Sequence, residues 1–123
     1  MLTAIDHIDI AVDDLEKWTG FLETVGFAVI RRTTHGGGSV ELRFPGVESP
    51  FLELTSTRRP NGTTQPAGFR HIALRCDDIA ATFAALSENG VAIDRPPRKN
   101  AESGRFTMNA VDPDGNMSIQ FVA

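Results

Sequence analysis

Two histidines, a carboxylate and an amide stand out because each lies in a short segment that alternates apolar and polar residues. His7 and His71 lie in two similar segments, Glu53 in a third, and Gln120 in a fourth. Because side chains along a strand point alternately to two faces, all four fall on the face opposite the apolar set. Imidazole, carboxylate and amide groups are ligands of divalent metals. The pattern therefore predicts either a metal site or the solvated face of an open sheet.

Other side chains share this polar face. Glu41 is a further carboxylate on this face, and it could be a surface carboxylate paired with Arg43 or Arg75. The two arginines could hold a substrate carboxylate or phosphate, or could balance Glu41 and Asp9 as rim charges. The predicted substrate-binding residues are Asp9, Arg43, Phe51, Arg75, Thr107 and Asn109.

An internal repeat positions these residues. The segment 7–15 aligns with 71–79 at an offset of 71 − 7 = 64 residues, and the match runs without a gap to Ala28 over Ala92. Each copy begins with a strand, followed by an aspartate pair suited to a helix N-cap, an apolar helical stripe and a closing glycine. Three extended segments follow each helix, so the repeating unit is βαβββ.

The predicted fold class is α+β, with two βαβββ modules forming a curled sheet around a central cavity. Residues 1–123 form one domain, with module one at about 4–55, a linker at 56–68 and module two at about 69–123. In the first helix, Trp18 and Phe21 are expected in the core. The basic segment 95–99 is expected to be a loop.

Composition restricts the classes of partner. The chain has 123 residues, 41% of them hydrophobic, and a net charge of -4, as expected for one globular domain. An acidic chain without a basic patch disfavours nucleic acid and anionic membranes. A single cysteine excludes an internal disulfide, and no signal segment is visible, so a cytoplasmic location is expected.

Four motifs in order carry a resemblance to a known family: 6–15, 50–54, 68–74 and the Asp-Pro-Asp-Gly-Asn turn at 112–116. With them the sequence resembles the vicinal oxygen chelate superfamily, which includes glyoxalase I, methylmalonyl-CoA epimerase, extradiol dioxygenases and antibiotic-resistance proteins. It looks closest to glyoxalase I (lactoylglutathione lyase)-like proteins. The resemblance implies paired modules, often in homodimers, and a divalent metal (Zn, Ni, Co, Mn or Fe) bound by two residues from each module.

By position, the resemblance implies His7, Glu53 and His71 as metal ligands. The fourth ligand is usually a glutamate, and the commonest family spacing places it at Ile119, which cannot bind metal. The repeat and the parity of the last strand favour Gln120 instead, with a bulge after residue 116 to reconcile the two counts.

The resemblance implies a metal-dependent lyase or isomerase that moves a proton next to a carbonyl, with Glu53 or Glu41 as the base. The substrate is expected to be a small molecule, possibly linked to a thiol or thioester. One alternative is a non-catalytic, antibiotic-binding resistance protein, which the replacement of the fourth carboxylate by Gln120 favours. A less favoured one is an extradiol-type dioxygenase, which uses that missing carboxylate in its metal triad.

Overall fold

The computed structural model describes residues 1–123 and contains eight strands, two helices and one short 3-10 turn. The order is βαβββ used twice, which confirms the predicted α+β class. The elements are β1 (Leu2–Val12), α1 (Leu15–Thr24), β2 (Ala28–Thr33), the 3-10 turn (His35–Gly37), β3 (Ser39–Arg43), β4 (Phe51–Ser56), β5 (Gly68–Cys76), α2 (Ile79–Glu88), β6 (Ile93–Lys99), β7 (Phe106–Val111) and β8 (Ser118–Val122).

The chain divides into two compact units. The first unit is His7–Arg70, and the second unit combines Met1–Asp6 with His71–Ala123. Strands follow the order β2-β3-β4-β1 in the first unit and β5-β8-β7-β6 in the second. In both, the first strand pairs in parallel with the last, β1 with β4 and β5 with β8, and the other pairs are antiparallel.

Both helices begin at the predicted aspartate caps. The carboxylate of Asp14 accepts a hydrogen bond from the backbone N–H of Lys17 at 3.1 Å, and Asp78 accepts one from that of Ala81 at 3.0 Å. These bonds satisfy N–H groups that have no partner within the helix. Neither helix is both long and apolar enough to span a lipid bilayer.

The prediction that Trp18 and Phe21 are core residues is wrong. They are 41% and 56% exposed, and their rings pack edge to face with centroids 5.8 Å apart. The buried side of α1 carries Thr19 and Leu22 instead, and the Thr19 hydroxyl donates to the backbone oxygen of Leu15 at 2.6 Å. A polar residue replaces an aromatic one in the buried stripe because its hydroxyl bonds within the helix.

Each unit has its own apolar core between helix and strands. The first core contains Val12, Leu22, Val40, Leu42 and Leu54. The second contains Met108, Ala110 and Phe121, with partly buried residues such as Leu74, Phe83 and Ile119 packed against them. Because the apolar positions of each strand face this core, the polar positions occupy the opposite face, as the alternation predicts.

The segment 95–99 is not a loop, as the sequence analysis expected, but part of β6. It pairs antiparallel with β7, although the register shifts on both sides of Arg95. Proline lacks the N–H that a central strand needs, but β6 is the last strand of its unit. Pro96 and Pro97 therefore fit an edge strand that is interrupted by irregularities.

A buried carboxylate with two arginines holds the second unit together. Asp6 has no solvent exposure. It accepts hydrogen bonds from Nε of Arg75 at 2.9 Å and from Nη1 and Nη2 of Arg105 at 3.1 and 2.8 Å. Both arginines are about one third exposed, so their charges reach water while that of Asp6 does not.

This asymmetry predicts unequal losses of stability. Replacing Arg75 and Arg105 together by methionine leaves a buried charge uncompensated, and the free energy of unfolding should fall by about 3–5 kcal/mol. Asp6→Asn should cost only about 1–3 kcal/mol, because the arginines can turn to solvent. Urea unfolding of the three proteins measures the difference, and a larger loss for Asp6→Asn would contradict it.

Candidate active site

The first unit brings His7 and Glu53 into contact. They lie on the parallel strands β1 and β4, and His7 Nε2 is 3.3 Å from Glu53 Oε2. Both side chains are nearly buried, at 6% and 12% exposure. The ring of Phe51 stacks on that of His7 with centroids 5.0 Å apart. Two of the predicted metal ligands are thus adjacent, and the predicted Phe51 covers one of them.

Burial changes the acidity of Glu53. Loss of hydration raises the pKa of its carboxyl from 4.5 to about 7, and the negative charges of Asp9 and Glu41 act in the same direction. His7 and Arg70 oppose the shift. A carboxyl group with a pKa near 7 can both accept and return a proton at neutral pH, which is what a general acid-base catalyst requires.

Asp9 lies directly beside Glu53 in the register of β1 and β4. It has no solvent exposure, and its carboxylate accepts hydrogen bonds from Thr55 Oγ1 at 2.8 Å and from Arg70 Nη1 at 3.1 Å. Burial raises the pKa of Asp9, while Arg70 and then Thr55 lower it. This geometry favours support of Glu53 over the direct substrate contact predicted for Asp9.

Glu41 lies opposite Glu53 in the pairing of β3 and β4. Its carboxylate accepts hydrogen bonds from Nη2 and Nε of Arg31 at 3.0 and 3.3 Å. Arg31 is the partner because it lies directly across from Glu41 on β2. The predicted alternative partners, Arg43 and Arg75, are therefore wrong; Arg43 ends β3 as a half-buried residue, and Arg75 bonds Asp6.

Strand register in the second unit locates Gln120. The parallel pair β5/β8 places Ala73 beside Gln120 and His71 beside Ser118. Paired residues point to the same side of a sheet, so Gln120 shares a face with His71, while Ile119 packs against the core. The imidazole Nε2 of His71 is buried, as is that of His7.

Asn109 and Thr107 extend this face along β7. Asn109 is buried beside Gln120, and its amide nitrogen donates to Ser118 Oγ at 3.0 Å. Its amide oxygen accepts from Arg98 Nη2 at 2.6 Å. Thr107 lies across from Arg98 in the register of β6 and β7.

Several arginines at the site escaped the sequence analysis, namely Arg31, Arg70, Arg98 and Arg105. The predicted Arg75 bonds a carboxylate of its own chain, which argues against substrate binding. The missed residues follow no local pattern, because their partners are set by strand pairing. Carboxylates within predicted strands, such as Asp6 and Asp9, indicated that cations were needed nearby but not which arginines would supply them.

The donor set for a metal is only partly assembled. No group of three or more histidine, cysteine, aspartate or glutamate side chains is arranged to hold a metal ion. The first unit supplies one pair, His7 and Glu53, with the nitrogen and oxygen chemistry that zinc, nickel, cobalt, manganese and iron accept. A cavity of about 430 Å³ in the same unit lies elsewhere, near Asp14, Lys17 and Trp18 at the start of α1.

The acidity of Glu53 predicts how stability depends on pH in the metal-free protein. The folded state holds a proton that the unfolded chain releases above pH 4.5, so stability should fall by about 3 kcal/mol as the pH rises from 4.5 to above 7. Glu53→Gln should flatten this part of the profile. Urea unfolding at several pH values tests this, and an equally steep decline in the variant would contradict it.

The chain matches a known protein family and two curated proteins. Residues 4–118 match the model of the Glyoxalase/Bleomycin resistance protein/Dioxygenase superfamily. A probable lactoylglutathione lyase from Synechocystis is 29% identical over 114 residues, which cover 89% of this chain and 87% of that protein. An uncharacterized Bacillus subtilis protein, YwbC, is 37% identical over 86 residues, which are 68% of each chain.

Solved structures show the same fold. Methylmalonyl-CoA epimerase from Streptomyces coelicolor, in complex with 2-nitronate-propionyl-CoA, has a TM-score of 0.78 at 27% identity, covering 99% of this chain and 97% of that one. The epimerase from Mycobacterium tuberculosis has a TM-score of 0.81 at 20% identity, covering 98% and 87%. At that lower identity the likeness shows the fold alone.

Proposed function

The chain belongs to the Glyoxalase/Bleomycin resistance protein/Dioxygenase superfamily, and we propose that it is a metal-dependent lyase or isomerase of glyoxalase type. It would move a proton on the carbon next to a carbonyl. The observation that carries this proposal is the buried contact between His7 and Glu53, with a pKa of about 7 at the carboxyl. A buried carboxyl whose pKa is raised toward neutrality beside a histidine is typical of catalytic sites.

The proposed metal ligands are His7, Glu53, His71 and Gln120. A divalent metal bound there would act as a Lewis acid toward the vicinal oxygens of the substrate. Support comes from the adjacency of the first two residues and from the shared face of the last two. Gln120 brings a neutral oxygen where the family usually has a carboxylate, so the site carries one negative charge fewer.

Glu53 is the proposed base, and Glu41 is the second candidate. In the metal-free protein burial raises the pKa of Glu53 to about 7; a bound cation would lower it, so Glu53 would act as a base after substrate displaces it from the metal. Glu41 lies across the strand pair from it, and the two hydrogen bonds from Arg31 hold its carboxylate in place. Phe51 stacks on the imidazole of His7 and covers one face of that ring.

The proposed substrate is a small molecule whose reacting carbonyl belongs to a thioester or lies next to a thiohemiacetal. This proposal is based on the relatives. One is a probable lactoylglutathione lyase, and the epimerase has been solved with methylmalonyl-CoA and with a nitronate analogue. Thr107 and Asn109 are proposed to line the substrate side of the second unit, with Arg43 in the first. The homodimer expected from the sequence stays a prediction.

The test combines metal analysis with a proton-exchange screen. Protein reconstituted separately with zinc, nickel, cobalt, manganese or iron is incubated in deuterated water with α-keto thiohemiacetals or acyl-CoA thioesters. The proposal expects metal-dependent exchange at the carbon next to the carbonyl of one substrate. Failure of exchange with every metal and both substrate classes would overturn it.

A second candidate is a non-catalytic protein that binds a small molecule without metal. The incomplete cluster of acidic and histidine side chains and the amide at Gln120 favour it. A protein that purifies without metal, rejects added metal and still binds a planar aromatic antibiotic would establish this alternative.

A further inference from the structure

Arg98 differs from the other arginines that make side-chain hydrogen bonds near the polar faces. Arg31, Arg70, Arg75 and Arg105 each donate to a carboxylate. Arg98 is half-buried and donates to two neutral oxygens, the amide oxygen of Asn109 at 2.6 Å and the backbone oxygen of Pro96 at 3.5 Å. Its positive charge is therefore without a carboxylate at bonding distance.

The surroundings make this charge costly. Burial lowers the pKa of the Arg98 guanidinium, and the neighbouring charge of Arg95 lowers it further, although Asp94 opposes both. A partly dehydrated cation next to a second cation is destabilising unless an anion joins them. The pairing of β6 with β7 is also irregular on both sides of Arg95.

A chain of polar side chains links Arg98 to the face of the proposed ligands. Arg98 donates to Asn109, and Asn109 donates to Ser118, which lies beside His71. Gln120 lies beside the same Asn109 on the next strand. Neighbouring strands are about 4.8 Å apart, so the guanidinium lies about one to two strand spacings from Gln120.

From these observations we propose that Arg98 is a specificity-determining residue that binds a carboxylate of the substrate, with Asn109 holding the guanidinium in position. This inference deepens the proposed function and rests on it for the identity of the site. A guanidinium matches a carboxylate with two parallel hydrogen bonds, and the same fork also fits a phosphate, so the experiment below compares the two anions. The substrate would carry its carboxylate about 5–10 Å from the group that lies beside Gln120, one to two strand spacings away.

A binding experiment tests this without turnover. Succinate and inorganic phosphate are titrated separately into ¹⁵N-labelled wild-type protein and into Arg98→Met, Arg98→Lys and Arg95→Met. We expect Arg95→Met to bind succinate only slightly more weakly than the wild type, because it removes a neighbouring charge but keeps the hydrogen bond between Arg98 and Asn109. Arg98→Met should bind at least about tenfold more weakly than the wild type. Arg98→Lys, which keeps the charge but loses the fork, should fall between the wild type and Arg98→Met.

Three results would overturn the proposal: no succinate binding by the wild type, equal losses in Arg95→Met and Arg98→Met, or phosphate binding tighter than succinate with the same dependence on Arg98. Because this binding test needs no catalytic reaction, its result is independent of the proton-exchange screen. If exchange is found, Arg98→Met should raise KM more than it lowers kcat. An absence of exchange with normal succinate binding would remove the proposed function and leave the anion site.

Discussion

Glu53→Gln should lower the rate of proton exchange by about 10²–10⁴-fold, the usual contribution of a positioned general base. The substitution keeps the shape of the side chain and one oxygen that can still ligate a metal. It removes the carboxylate that would accept the proton from the substrate. If exchange is lost while the metal content is retained, the role of Glu53 as a base is distinguished from its role as a metal ligand.

Glu41→Gln is the matched control, because Glu41 lies directly opposite on the neighbouring strand. It should lower the rate much less if Glu53 is the base, since Glu41 is bonded to Arg31. The measurement is deuterium incorporation followed by NMR with equal metal loading of both variants. A large loss in Glu41→Gln with a nearly normal Glu53→Gln would place the base on β3 instead.

Much of this fold follows from local patterns that the sequence displays. Alternation of apolar and polar residues located the strands, and the paired aspartates located the starts of both helices at Asp14 and Asp78. The same alternation assigned His7, Glu53 and Gln120 to the face opposite the core, in agreement with the strand register. These features depend on residues close in sequence, so they could be predicted from one chain.

The ion pairs could not be predicted in this way. Asp9 is bonded to Arg70 and Asp6 to Arg105, partners that lie 61 and 99 positions away. Parity identifies the face of such a residue but not which strand lies beside it or how far the register has slipped. The amount of burial, which raises the pKa of Glu53 to about 7, likewise depends on contacts across strands.

Trp18 and the segment 95–99 show a second limit. A 3-and-4 spacing does not identify which of two overlapping stripes on a helix faces the core. Thr19 is buried in this helix, whereas Trp18 is 41% exposed. Two consecutive prolines predict a loop when only the sequence is known. In an edge strand such as β6 they are tolerated, because the N–H groups on the outer side have no partner strand to bond.

Gln120 should contribute to metal affinity through its amide oxygen. Its register beside Ala73 and Asn109 places it on the face of His71, and the neighbouring Ile119 packs into the core. Gln120→Ala should weaken metal binding by at least the 10–100-fold that loss of an outer-shell partner costs. Gln120→Glu should tighten binding, because a carboxylate adds negative charge next to the cation.

Ile119→Val is the control that distinguishes the two candidate positions of the fourth ligand. It shortens the side chain on the core face, so stability should fall by about 0.5–1.5 kcal/mol while metal affinity stays unchanged. Competition with a chromogenic chelator measures affinity in all variants, and Glu53→Ala provides the reference for loss of a ligand. If Gln120→Ala leaves affinity unchanged while Glu53→Ala abolishes binding, the metal has three protein ligands. Gln120 would then face the site without holding the ion, and the position left open would belong to water or substrate, as in catalytic metal sites that keep one coordination position free.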